Sequence, residues 1–206
     1  MNEQQTTGAG MDLADKKPVK KTAFKKRFTA RRLALMAIFV ALSFSVSLLS
    51  FAIFPASPVF FLELDFGNVF ILLISFLLGP VEGVIVCVLK ETLRIFAGST
   101  GGVGELANML MTSAYILLPS IVYQYKKGIK CVVIALIAAC FIGTTAALLV
   151  NRFITFPLFL KGNAVTVFEE GFWLIVAFNF IKTSSIGAFT LVLYKRLSNF
   201  IKRMKI

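Results

Sequence analysis

The sequence predicts an all-α integral membrane protein: a compact bundle of six transmembrane helices with both termini in the cytoplasm. Three observations carry that prediction. Hydrophobic residues make up 58% of the 206-residue chain and mean hydropathy is +0.85, beyond what a soluble core of this size uses. Apolar runs reach the ~20 residues that cross a bilayer. Seventeen of the 22 Lys and Arg residues lie in three clusters, at 16–32, 126–130 and 195–205, each bordering an apolar run as cytoplasmic flanks do. The formal charge of +12 therefore reads as topology and not as a nucleic-acid surface.

The length suits one bundle without a second globular domain of ordinary size. Residues 1–32 form the N-terminal segment, 33–197 the six-helix transmembrane domain, and 198–206 a basic cytoplasmic tail. Met1–Pro18 is polar and expected to be disordered, and Val19–Arg32 is basic enough to lie against anionic headgroups. This start does not resemble a short cleavable signal peptide.

Leu33–Phe54 is the first expected span. Ala34, Ala37 and Ala41 line one of its faces, and Ala37-x-x-x-Ala41 is a small-residue pattern that admits a second helix closely. That helix could belong to this bundle or to a partner. Pro55–Gly67, with two prolines and the acids Glu63 and Asp65, cannot continue the helix and reads as an external loop. Asn68–Leu78 and Val81–Ala97 are two short spans separated by the breaker Gly79-Pro80. Val103–Tyr125 follows a Gly-rich turn and ends at the basic 126–130 turn. Cys131–Leu160 is a long apolar run interrupted by Asn151-Arg152 and by Pro157. Lys161–Gly171 reads as an external loop, and Phe172–Tyr194 as the last span.

Hydrocarbon is a poor solvent for charge, so the polar residues inside these spans mark a protein interior or a wet cavity. Glu105 and Asn108 share a helix face in VGELANML. Lys90 and Arg94, four apart beside Glu91, require acidic partners or water. Asn151 lies about two turns from Pro157, and Asn179 and Lys182 are again i,i+3. Taken singly, such residues serve as interhelical hydrogen bonds. Grouped on several helices, they read as a pocket. Phe60, Phe61, Phe66, Phe153, Phe156 and Trp173 are the nearby rings that could stack on a flat ligand.

Motifs for chemistry are missing. The chain has no His and no Walker-type phosphate loop, nucleophile elbow or paired metal-ligand set. Cys87, Cys131 and Cys140 sit in apolar runs without CxxC spacing and read as small buried hydrophobes. These features point to a binder or carrier, with no enzymatic role, metal or cofactor.

Ala37-x-x-x-Ala41, LELDFGN at Leu62–Asn68, LLGPVEGVIVCVLKETLR at Leu77–Arg94, VGELANML at Val103–Leu110, VNRFITFPLF at Val150–Phe159 and NFIK at Asn179–Lys182 occur in one order. Together they resemble the substrate-binding S components of energy-coupling factor (ECF) vitamin transporters, most of all the riboflavin-specific members. The resemblance runs from Arg32 to about Arg196. It implies a vitamin importer of the bacterial plasma membrane in which 33–197 is the substrate-binding domain. Riboflavin would be the transported ligand, captured from outside. The Ala34/Ala37/Ala41 face would dock on a transmembrane coupling subunit, which works with two cytosolic ATPases. Leu64 and Asp65 would belong to the gating loop, and Asn151, Asn179 and Lys182 to the riboflavin pocket. The stretch with Glu105 and Asn108 reads as one of its walls, Glu105 being either a pocket residue or the partner of Lys90 or Arg94. The loop reads Asp65-Phe66-Gly67-Asn68 where the family often has DFSD, and Lys90-Glu91 stands where LLKN is common. Another small vitamin or precursor is the alternative ligand. A non-transporting membrane structural or assembly protein is the alternative of a different class.

Overall fold

The computed structural model describes residues 29–54, 57, 59, 62–98, 100–126 and 128–203. Helix α1 is Ala30–Ser47, and the short strands β1 (Phe51–Ala52) and β2 (Glu63–Leu64) pair antiparallel, Phe51 opposite Leu64. Helices α2 (Gly67–Leu78), α3 (Pro80–Ala97), α4 (Val103–Tyr125) and α5 (Ile129–Val150) follow. A π-helical turn at Asn151–Thr155 leads into α6 (Phe156–Leu160), a 3-10 turn at Lys161–Asn163, α7 (Ala164–Glu170) and α8 (Phe172–Arg203).

Among the described residues, four stretches are long and apolar enough to cross a membrane: Ala30–Ser47, Val103–Tyr125, Ile129–Leu160 and Phe172–Tyr194. The two short spans expected from the sequence are helical but do not meet that description. Helix α2 has 12 residues, about 18 Å of rise. Helix α3 carries Glu82, Lys90, Glu91 and Arg94, too much charge for an apolar window.

Helix α2 is the core of the bundle. It touches α1, α3, α4 and α8, and ten of its residues are buried, so its near-continuous apolar sequence suits a helix enclosed on all sides. The break after it depends on Gly79, whose φ of 131° lies where side chains with a Cβ are strained. Pro80 then starts α3 at a position where its missing N–H costs nothing. Gly83 brings α3 against α2 and α4, because a Cβ there would meet Ser75 and lie 3.2 Å from Ile116 Cδ1. Helix α4 is two-faced. Leu106, Leu110, Leu117 and Ile121 are exposed, as lipid-facing residues are, while Glu105, Asn108, Thr112 and Tyr115 are buried.

Two apolar clusters stabilise the ends. The larger contains Phe39, Leu72, Ile74, Val86, Tyr115, Leu136 and Ile186. The smaller, at the hairpin end, contains Val59, Leu62, Phe156, Phe168, Ile175 and Phe178. Along α8, Asn179 and Lys182 fall between Phe178 of one cluster and Ile186 of the other.

Several expected boundaries need correction. The first helix stops at Ser47 instead of running to Phe54. Its last buried serines are tied to the start of α2, Ser43 to Gly67 O at 2.7 Å and Ser47 to Asp65 at 2.6 Å, and Phe51–Ala52 pairs with the returning chain. The run 131–160 is not broken by Asn151-Arg152 or Pro157. The chain stays helical because the π-helical turn shifts the hydrogen-bond register just before the proline, which has no N–H to donate. The segment 161–171 is not a plain loop, since Ala164 and Phe168, four residues apart, bury one face of α7 against the smaller cluster. The last helix continues past Tyr194 to Arg203. Met1–Pro18, where disorder was expected, and most of the basic 19–32 segment lie outside the described residues, as do residues 204–206. Cys87 and Cys140 are buried and Cys131 partly so, all as free thiols.

Candidate functional site

The connector 48–66 is too short in strand to hold itself, since paired strands of two residues are marginal in isolation. Side chains fix it to the bundle. Asp65 is the anchor: Oδ1 accepts from Ser47 Oγ (2.6 Å) and from the backbone N–H of Gly67 (2.8 Å). Its Oδ2 accepts from Lys90 Nζ, and more distantly from Arg94 Nη1 and Asn108 Nδ2, both at 3.3 Å. Burial raises the pKa of such a carboxyl, but the Lys90 ammonium, with help from Ser47 and Lys182, holds it at about 2. Asp65 therefore stays ionised inside the protein.

Lys90 is fully buried, and its ammonium also donates to Glu91 Oε1 (2.5 Å) and Asn68 Oδ1 (3.2 Å). Asn68 donates in turn to Asn108 Oδ1 at 3.2 Å, and Asn108 donates to Glu91 Oε1. Arg94 clasps the hairpin: Nη2 donates to Glu63 Oε2 (2.8 Å) and to Ser50 Oγ (3.1 Å), and the Ser50 hydroxyl donates to the same carboxylate oxygen at 2.7 Å. Lys182, from α8, donates to Asn108 Oδ1 (2.9 Å) and to the backbone carbonyl of Glu63 (3.2 Å). One network thus joins α1, the hairpin, α2, α3, α4 and α8.

Beside it lies a cavity of about 50 Å³, whose lining includes Glu63, Asp65, Glu91, Arg94, Glu105, Asn108, Thr155 and Lys182. A water needs ~10–15 Å³ on this scale, so the space takes a few waters and not a three-ring ligand.

The sequence-derived candidates divide into two groups. Asp65, Glu105, Asn108 and Lys182 meet at the cavity. Leu64 is buried in β2 but does not line it; the neighbouring carbonyl of Glu63 reaches Lys182 instead. Asn151 and Asn179 are also buried without lining it. Each keeps an unused polar atom: Asn151 Nδ2 and Asn179 Oδ1 have no hydrogen-bond partner among the described residues. The Asn179 Nδ2 group is used locally, on Ile175 O at 2.8 Å. Buried polar groups are nearly always satisfied, so these two atoms are exceptions among the described residues. Thr155, four residues beyond Asn151 on the π-helical turn, connects this region to the cavity wall. Such turns recur at functional positions.

Glu105 accepts from Thr100 Oγ1, while Lys90 and Arg94 pair with Asp65, Glu91 and Glu63. It is a cavity residue and not their counterion. The acids at 63 and 91 and the amide at 68 had no assigned partner in the sequence, since i,i+4 spacing says which residues share a face and not what faces them. The aromatic expectation fails for the described rings. Phe153 and Trp173 point outward, 72% and 78% exposed, Phe156 is buried against Phe168, and Phe66 packs edge-on to Phe189. Phe60 and Phe61 lie outside the described residues. The face of Ala34, Ala37 and Ala41 is exposed, so it does not serve packing within this chain; α1 buries Met36, Phe39, Val40, Ser43 and Ser47 instead.

Residues 31–201 match the family model for the substrate-specific component of ECF transporters. A riboflavin transporter named RibU from Staphylococcus aureus (strain TCH60) is 31% identical over 182 residues, covering 84% of this chain and 94% of that protein. A riboflavin transporter named FmnP from Bacillus subtilis (strain 168) is 26% identical over 133 residues, covering 63% of this chain and 67% of that protein. A solved S component of a bacterial ECF transporter superposes with a TM-score of 0.72 at 32% identity, over 84% of this chain and 98% of that one. A helical bundle of this topology with a buried polar site, matched along nearly its whole length, belongs to the substrate-specific components of the ECF transporter family.

Proposed function

We propose that this chain captures riboflavin from outside a bacterial cell and delivers it through an ATP-driven coupling module. The observation that carries the reading is the pair of orphaned amides. Asn151 Nδ2 and Asn179 Oδ1 offer one donor and one acceptor in a buried setting, which complements the alternating carbonyl and N–H edge of an isoalloxazine ring. The neighbouring polar cavity, with Lys182, Asn108 and Glu105 in its wall, suits the hydroxyls of a ribityl chain. The riboflavin transporters among its relatives support the same ligand. The cavity is small, about 50 Å³, so binding requires the connector carrying Leu64 and Asp65 to shift, as a gate does.

In this reading six helices sit in the membrane: α1, α2, α3, α4, α5 continued by α6, and α8. The basic clusters put both termini and the 126–130 turn in the cytoplasm, and the hairpin end faces outward. The exposed Ala34/Ala37/Ala41 face meets a transmembrane coupling subunit, which two cytosolic ATPases drive. The protein is a multi-pass resident of the plasma membrane. It binds no nucleic acid and needs no cofactor of its own.

Protein purified in detergent from riboflavin-replete cells tests the ligand. Flavin absorbance that survives washing, with riboflavin identified by mass spectrometry, is expected. A colourless protein that does not quench added riboflavin fluorescence excludes the vitamin.

A further inference from the structure

The cavity wall is unusually acidic for a site beside three cations. Four carboxylates line it, Glu63, Asp65, Glu91 and Glu105, against the two cations Arg94 and Lys182. Lys90 stands behind them in the network and is already shared between Asp65 and Glu91. Arg94 is likewise committed, to Glu63 and Asp65. Lys182 makes its hydrogen bonds to neutral oxygens alone, Asn108 Oδ1 and Glu63 O. The formal balance of the wall with Lys90 included is therefore negative.

A second observation points to a ligand. Glu91 is 2% exposed and lines the cavity, and its Oε2 has no hydrogen-bond partner among the described residues. Its other oxygen carries both Lys90 and Asn108. A buried carboxylate oxygen left open is costly unless a donor reaches it. A hydroxyl is such a donor. A phosphate monoester, which carries ~1.5–2 negative charges near pH 7 and offers mainly acceptors, is not.

We propose that Glu91 is a specificity residue. It accepts a hydrogen bond from a hydroxyl of the ligand's polyol chain, and with Glu105 and the other wall carboxylates it rejects the 5′-phosphate ester of the same vitamin. The inference rests on riboflavin as ligand and adds the selection between its free and phosphorylated forms. The phosphate, at the far end of the polyol, would enter the carboxylate wall where like charges oppose it in a poorly screened interior. The free alcohol supplies the donor that Glu91 Oε2 lacks. A carboxylate at 91 thus sets ligand charge, a function distinct from closing the ion-pair network, which an amide oxygen at that position would also close.

The test uses the full chain in detergent, titrated with riboflavin and separately with riboflavin 5′-phosphate, following flavin fluorescence. Wild type is expected to bind riboflavin at least tenfold more tightly than the phosphate. Glu91→Gln keeps an acceptor for Lys90 and Asn108 and removes the charge, so the ratio should narrow by threefold or more, chiefly through tighter phosphate binding. Glu105→Gln removes a charge from the same wall and should narrow it too, which keeps the test decisive if Glu91→Gln does not fold. Equal affinities in wild type, or a ratio unchanged in the folded variants, overturn the proposal while riboflavin binding stands. Failure of wild type to bind riboflavin at all removes the ligand reading itself, and this inference with it.

Discussion

Lys90 shows what a single residue does in this bundle. Its ammonium is fully buried and lies between two carboxylates and an amide oxygen, so removing it strands two negative charges. Lys90→Met is expected to destabilise the protein by ~3–5 kcal/mol, read as a lowered melting temperature in detergent. Asp65 adds a pH dependence whose sign follows from its depressed pKa, about 2 against an ordinary 3.8. Its contribution to stability is complete above the ordinary value and is lost as pH falls through the folded one. The melting temperature of wild type should therefore drop more steeply between about pH 4 and pH 2 than that of Asp65→Asn. Asn179 behaves in the opposite way to Lys90. Because its Oδ1 is orphaned, Asn179→Leu should leave the melting temperature unchanged or raised while weakening riboflavin binding roughly tenfold or more, about one lost hydrogen bond to a buried partner. The sequence made Lys90 and Arg94 legible as charges in need of partners. It could not name Asp65, Glu63 and Glu91 as those partners, because they are supplied across helix gaps and from a connector that has almost no strand structure of its own.

At the scale of the element, α1 turns two different sets of residues to its two faces. Met36, Phe39, Val40, Ser43 and Ser47 are turned into the bundle and Ala34, Ala37 and Ala41 away from it. The small-residue spacing was readable in sequence, whereas its direction required the packing. A bulky residue on the outer face should leave the fold intact. Ala37→Trp is accordingly expected to retain riboflavin affinity and to abolish co-purification with the coupling subunit; retention of both would assign the face to lipid contact. The segment after α5 was the least legible. Asn151-Arg152 and Pro157 carry the signature of a break, yet a single π-helical turn absorbs both. Hydropathy does not register a shift in hydrogen-bond partner. Helix α7 was read as loop for a related reason, as its buried face is only Ala164 and Phe168, one turn of periodicity.

For the whole molecule, composition and the placement of basic clusters were sufficient for the class, and the ordered motifs for the family. What they could not supply was the internal arrangement. Helix α2 is enclosed by α1, α3, α4 and α8, and the charge on α3 is tolerable because Lys90, Glu91 and Arg94 enter the network while Leu89, Leu93 and Phe96 are the side chains it exposes. The buried polar groups then divide into two sets by how they are satisfied. One is the ion-paired network that closes the hairpin end. The other is the pair of amides, Asn151 and Asn179, with bonding capacity to spare. Ligand recognition is proposed for those two amides, so the most direct measurement is an equilibrium titration of riboflavin into wild type and into Asn151→Leu and Asn179→Leu, each checked for an unchanged melting transition. Quenching of flavin fluorescence in wild type and at least tenfold weaker binding in both variants is the expected result. Equal affinity in all three folded proteins would contradict it.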